Sequence, residues 1–152
     1  MNKYIHYGAD TFDKTKFTNI VNVDHDWAKP KSGGLWASRI DAEYGWVDWC
    51  RDNEFKWSDF TKSFTFQLSK TAKVCHLYSI KDLDLLPQRK PIVISSYYLI
   101  DYEKASEKYD AIELHLSEEH PDDYVKSLYF KLYGWDCDSI LILNPDIIEV
   151  TK

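Results

Sequence analysis

The chain has 152 residues, a formal net charge of −6, and an aromatic complement of six Trp, eleven Tyr and seven Phe. Its length buries about two-thirds of the unfolded surface in one core without metals or crosslinks. The acidic balance argues against nucleic acid as the first partner, because affinity for phosphate backbones comes largely from clustered Lys and Arg. Cys50, Cys75 and Cys137 are an odd number with no CxxC pair, so reduced thiols are expected rather than a disulfide framework. The start, MNKYIHYG, lacks the apolar segment of a signal peptide, and no run of about 18 uncharged apolar residues follows. These features predict a soluble, cytoplasmic protein.

No repeat, low-complexity tract or linker divides the chain, which reads as a single domain over residues 1–152. The first strand is KYIHYG, ended by Gly8. Thr11 to Pro30 reads as loop with a brief helical turn, and Lys29-Pro30-Lys31-Ser32-Gly33-Gly34 is dense turn chemistry. A strand Leu35-Trp36-Ala37-Ser38 follows, and the apolar spacing of Tyr44, Val47, Trp49 and Cys50 predicts a short helix within Asp41 to Asn53. Ser63 to Leu68 and Ala72 to Leu77 alternate with period two around a polar turn, which predicts paired strands. Ile80 to Leu86 reads as a helix stopped by Pro87, Asp101 to Lys108 as another helix, and Tyr109 to Leu114 as strand. Asp138 to Val150 reads as a buried strand, a turn at Asn144-Pro145-Asp146, and a second short strand. Many short strands with few helices predict an α+β domain.

Several common sites are excluded. Neither G-x-x-x-x-G-K-[ST] nor G-x-G-x-x-G occurs, which removes the phosphate loop and the Rossmann fingerprint. His6, His25, His76, His115 and His120 show no HExxH or similar spacing. His115, His120 and Asp122 come nearest to a ligand set, and an acidic loop ended by Pro121 accounts for them better, so no metal is expected. Cys75 precedes His76, but neighbours on a strand face opposite ways and cannot pair as nucleophile and base. Glu118-Glu119 and Asp122-Asp123 read as solvated loop.

Three segments stand out together: IHYG, with His6 where the first strand turns at Tyr7-Gly8; GGLWAS, with two glycines before an apolar strand; and DCDSILILNP near the end. With DAEYGW between the second and third, this order resembles the ADP-ribosyltransferase superfamily in its diphtheria-toxin and poly-ADP-ribose-polymerase branch, from His6 to Val150. That resemblance implies an ADP-ribosyltransferase-like split β-sandwich, two small twisted sheets with flanking short helices, and NAD lying across the cleft between them. It implies cleavage of the nicotinamide-ribose bond through an oxocarbenium-like transition state. Such a reaction uses a carboxylate near the ribose and aromatic rings around the nicotinamide.

Carried over to these residues, the resemblance makes His6 the histidine that holds the cofactor, with Gly8 the glycine after it and Tyr7 inserted between. Gly33 and Gly34 would bring the backbone close to NAD. Leu35 and Ala37 would anchor the strand in one sheet, while Trp36, the first stacking aromatic, and Ser38 face the cleft. Tyr44 is the second stacking ring and Trp46 its reserve; a hydrophobic cluster of Trp36, Trp46 and Trp49 beneath the helix is the competing assignment. Counting back from Asn144 puts Ser139 at the family's glutamate position, with Asp138 before it and Asp136 in reserve. Loss of that glutamate goes with transfer of single ADP-ribose units or with no catalysis. The resemblance thus implies a toxin-like or effector mono-ADP-ribosyltransferase that uses NAD and a protein or nucleic-acid acceptor. An NAD glycohydrolase remains open, as does a non-catalytic module that binds NAD or a partner protein in the aromatic groove.

Overall fold

The computed structural model of the chain describes residues 1–56 and 59–151. Seven strands form one mixed sheet: β1 (Lys3–Tyr7), β2 (Leu35–Arg39), β3 (Ser63–Leu68), β4 (Val74–Leu77), β5 (Ala111–Leu114), β6 (Ser139–Ile142) and β7 (Ile148–Val150). Among the described residues, three short α-helices accompany them: α1 (Trp46–Asp52), α2 (Tyr102–Lys108) and α3 (Leu128–Lys131). The α+β class expected from the strand-rich pattern is therefore the class observed. Across the sheet the order is β4-β5-β6-β2-β1-β3-β7; β4 and β5 run parallel, and every other pair is antiparallel.

Residue alternation explains how the sheet buries both faces. On β6, Leu141 enters one apolar cluster with Leu77, Ile112, Leu114, Leu128 and Trp135. Its neighbours Ile140 and Ile142 enter another with Tyr4, Ala37, Phe64 and Phe66. Successive strand residues point to opposite faces, so the two clusters lie on the two sides of the sheet. Each fully buried Leu or Ile contributes roughly 1.5–3 kcal/mol. All four residues of β5 are buried, as suits a strand with neighbours on both edges.

The expected pairing of Ser63–Leu68 with the strand after it does not form. β3 lies between β1 and β7, and β4 forms the opposite edge beside β5. Period-two alternation fixes which residues share a face but not which strand lies alongside. Here Phe64 and Phe66 fill one core while Cys75 and Leu77 fill the other.

Local chemistry sets the helix bounds. α1 lies within the expected Asp41 to Asn53 span and begins after Gly45, whose N–H donates to the Asp48 carboxylate at 3.0 Å. α2 starts at its cap Asp101, which accepts from Lys104 N at 3.1 Å. Ile80–Leu85 is a 3-10 helix, begun where Asp82 accepts from the N–H groups of Tyr78 and Ser79. α3, not expected from the sequence, is capped by the Ser127 hydroxyl. Among the described residues, no helix is long and apolar enough to cross a membrane.

Candidate functional site

β2 changes partner halfway along. Leu35, Trp36 and Ala37 pair with Ile142, Leu141 and Ile140 of β6, whereas Ser38 and Arg39 pair with Ile5 and Tyr4 of β1. Past Ile5, β1 keeps its pairing with β3 but has no ladder partner on β2. His6 spans the gap, with its Nδ1 2.7 Å from the Trp36 carbonyl oxygen. A carbonyl only accepts, so Nδ1 carries the hydrogen, and in the neutral ring Nε2 presents a lone pair. Phe64 packs against the imidazole at 5.1 Å between centroids.

A cavity of about 580 Å³ opens at this divergence, bounded by β1, the Lys29–Ser32 turn, β2, α1 and the segment before β6. That size falls within the roughly 300–1,000 Å³ of small-molecule sites. Among the described residues, Trp36, Trp46, Trp49 and Trp135 line it. Trp46 and Trp49, three positions apart on α1, stack at 5.2 Å with 9° between their planes. Trp36 meets the buried Trp135 edge-on at 4.7 Å and 72°. Trp135 Nε1 donates to the Tyr102 hydroxyl at 2.9 Å, and that hydroxyl donates to the Ala28 carbonyl. The chain of bonds from α2 thus holds the loop that puts Lys29 and Lys31 at the cavity.

Ser38 joins three elements. Its hydroxyl donates to the Asp138 carbonyl at 3.0 Å and accepts from Trp46 N at 3.2 Å, at the start of α1. A serine that closes β2 therefore sets where the tryptophan pair stands. Leu35 and Ala37 pack into the cluster on the far face, as alternation along β2 requires, and Trp36 lies on the near face.

The twin glycines line the cavity, but what approaches them closely is their own chain. A Cβ on Gly33 would lie 2.0 Å from the Asn19 carbonyl oxygen, and one on Gly34 would lie 2.8 Å from that of Ile142. Both have positive φ, 83° and 70°, in the region that favours glycine. The packed turn, rather than a ligand, accounts for the pair. Gly8 (φ 104°) is a turn residue outside the lining.

The C-terminal segment sorts differently from the expectation. Asp138 is buried, and its carboxylate accepts from the Ser117 N–H at 2.9 Å and from the Ser117 hydroxyl. It does not line the cavity, because β6 begins only at Ser139 and Asp138 turns to Ser117. Ser139 does line it, with Oγ donating to the Cys137 carbonyl at 3.0 Å. Asp136 supplies a carboxylate to the lining; burial pushes its pKa up, opposed by the charge of Lys29. Burial likewise pushes the Cys137 thiol up to about 12, far from a reactive thiolate. Tyr7 lines the opposite wall, its hydroxyl pKa raised by burial and then by Asp48.

Tyr44 is also displaced from its expected role. It precedes α1, and its hydroxyl donates to Asp52 at 3.1 Å, outside the lining. Trp46 lines the wall, and so does Trp49, which stacks beside it instead of entering the core. Trp49, Phe55, Trp135, Lys29 and Lys31 were not anticipated as lining residues. The three-residue interval between Trp46 and Trp49 was the available signal for the first.

No protein-family model, curated protein or solved structure matches the chain. The cavity's lining must speak for its chemistry. Flat indole faces suit a heteroaromatic ring, the free imidazole nitrogen suits a hydroxyl donor, and two lysines suit phosphate oxygens. Asp136 and Ser139 add a carboxylate and a hydroxyl to the same lining.

Proposed function

We propose that this cavity binds NAD and that the protein is an ADP-ribosyltransferase-type enzyme transferring single ADP-ribose units. The observation that carries the proposal is convergence. His6, Trp36 and Ser139 come from three separate segments, and all line one cavity where β2 passes from one half of the sheet to the other. The same divergence is the basis for assigning the split two-sheet fold of that superfamily.

In the proposed reaction the bond between nicotinamide and the ribose C1′ breaks, and its electron pair leaves with nicotinamide. Positive charge develops on the ribose. The Asp136 carboxylate opposes that charge, and a nearby anion is worth most where water is excluded. His6 Nε2 accepts from a ribose hydroxyl, while its Nδ1–H remains on the Trp36 carbonyl. The indoles hold the cationic nicotinamide ring by stacking and by their negative faces. The acceptor nucleophile then bonds to C1′ and releases its proton to solvent water, which carries off the positive charge that developed on the ribose. With Ser139 rather than a carboxylate on β6, chain elongation has no base, which favours single transfer over polymer synthesis.

Ser139 also favours a second reading, a module that binds NAD without turning it over. Release of nicotinamide from NAD, measured with and without cell extract as the source of acceptor, separates the two. Release that depends on extract supports the transferase, and release without it supports an NAD glycohydrolase. No release in either condition rejects catalysis.

A further inference from the structure

We propose that His76, Glu113 and His115 form a binding site for a divalent transition metal of the zinc type, independent of the NAD cavity. His76 and Glu113 are direct partners in the parallel β4–β5 register. His115 follows β5 and is held by its N–H to the Leu77 carbonyl at 2.9 Å. Alternation along β5 turns Glu113 to the face of the sheet opposite Ser139, the partner of Leu114. The parallel pairing brings His76 beside Glu113 and His115, the latter 39 positions away, which is why sequence spacing does not show the site.

Geometry carries the assignment. His76 Nδ1 lies 3.0 Å from His115 Nε2 and 3.3 Å from Glu113 Oε2, and the latter two are 3.8 Å apart. Ligand bonds of about 2.0–2.2 Å at a tetrahedral angle put donor atoms about 3.3–3.6 Å apart, a spacing the three distances bracket. Hydrogen bonding alone leaves the trio incomplete. The one hydrogen between His76 Nδ1 and His115 Nε2 serves that contact in either tautomer and leaves the 3.8 Å gap from His115 Nε2 to Glu113 Oε2 unbridged. A central cation satisfies all three.

The surroundings have the form of an outer shell. His115 Nδ1 is buried with no hydrogen-bond partner and stands 3.4 Å from Glu118 Oε1, the position of an outer-shell carboxylate, while Nε2 faces His76. Tyr4 donates to Glu113 Oε2 at 3.0 Å, and Arg39 Nε stands 3.4 Å from the other oxygen. Tyr78 stacks on His115 at 4.1 Å and 15°, fixing the ring plane. Glu113 and His115 are almost fully buried, whereas the His76 side chain is 42% exposed. The fourth position therefore opens toward solvent and accepts a water.

The test uses the untagged full chain, dialysed against zinc chloride and then metal-free buffer, with bound zinc measured by mass spectrometry. Affinity comes from competition with a chromogenic chelator. One zinc per chain is expected, with Glu118→Gln weakening binding about 10–100-fold and His76→Gln weakening it more. His120→Gln should bind as the parent does. Less than stoichiometric zinc on the parent chain, or parent-like affinity in both His76→Gln and Glu118→Gln, overturns the assignment.

Discussion

The Nδ1–H of His6 is bonded to the carbonyl of Trp36 at 2.7 Å, so one side chain ties β1 to β2 at the point where their ladder stops. Because that bond fixes the tautomer, the outward nitrogen can only accept while the ring is neutral. His6→Ala removes both the tether and the acceptor. The expected result is an NAD dissociation constant about tenfold weaker, the equivalent of one net hydrogen bond. Calorimetric titration of the folded variant measures this, and an unchanged constant would remove the assigned role.

Asp136 links function to stability. Burial raises its folded-state pKa above that of the unfolded chain, so the folded state binds the proton more tightly. Its contribution to stability is fully present below the ordinary carboxylate range and is lost as pH rises through the raised pKa. Asp136→Asn is therefore expected to melt higher than the parent at neutral pH and to converge with it in acid. The same substitution should lower nicotinamide release and abolish the acid limb of its pH profile. A variant less stable than the parent at neutral pH would contradict the assignment.

The glycine pair offers a test of packing. Gly33→Ala combines a positive φ with overlap against the Asn19 carbonyl, while a Cβ on Gly8 meets nothing within 4 Å. Urea unfolding should show about 1–2 kcal/mol lost for Gly8→Ala. For Gly33→Ala the loss should exceed about 3 kcal/mol, beyond the common range for single substitutions. Equal losses would mean that the turn around Asn19 yields readily.

Much of the site was legible because it depends on local periodicity. Alternation along Leu35–Ser38 placed Trp36 and Ala37 on opposite faces, and the order of the His6, Trp36 and Ser139 segments could be read directly. Tyr44 ranks ahead of Trp46 in the sequence, yet Trp46 is the one that lines the cavity, because the start of α1 depends on Asp48 and on Ser38 from another element. Asp138 was misplaced because the side chain of a residue just before a strand is turned by its partners, here Ser117. The β3 and β4 pairing failed for a related reason: which strand lies alongside another is decided by the two cores. The closeness of His76 to His115 required the parallel register, which leaves no mark in the spacing.

All three thiols are buried, and burial raises Cys137 to about 12. A thiol reagent added to the native protein at neutral pH should therefore label Cys50, Cys75 and Cys137 only slowly, whereas all three should react at once in denaturant. Rapid native labelling of Cys137, read by mass spectrometry, would show that the segment carrying Asp136 is less well packed than described.

The most direct test is a titration of tryptophan fluorescence with NAD, since Trp36, Trp46, Trp49 and Trp135 line the cavity. Saturable quenching, weakened in His6→Ala and in Trp46→Ala, is the predicted result. An emission spectrum that does not respond to millimolar NAD would contradict binding of the dinucleotide at this site.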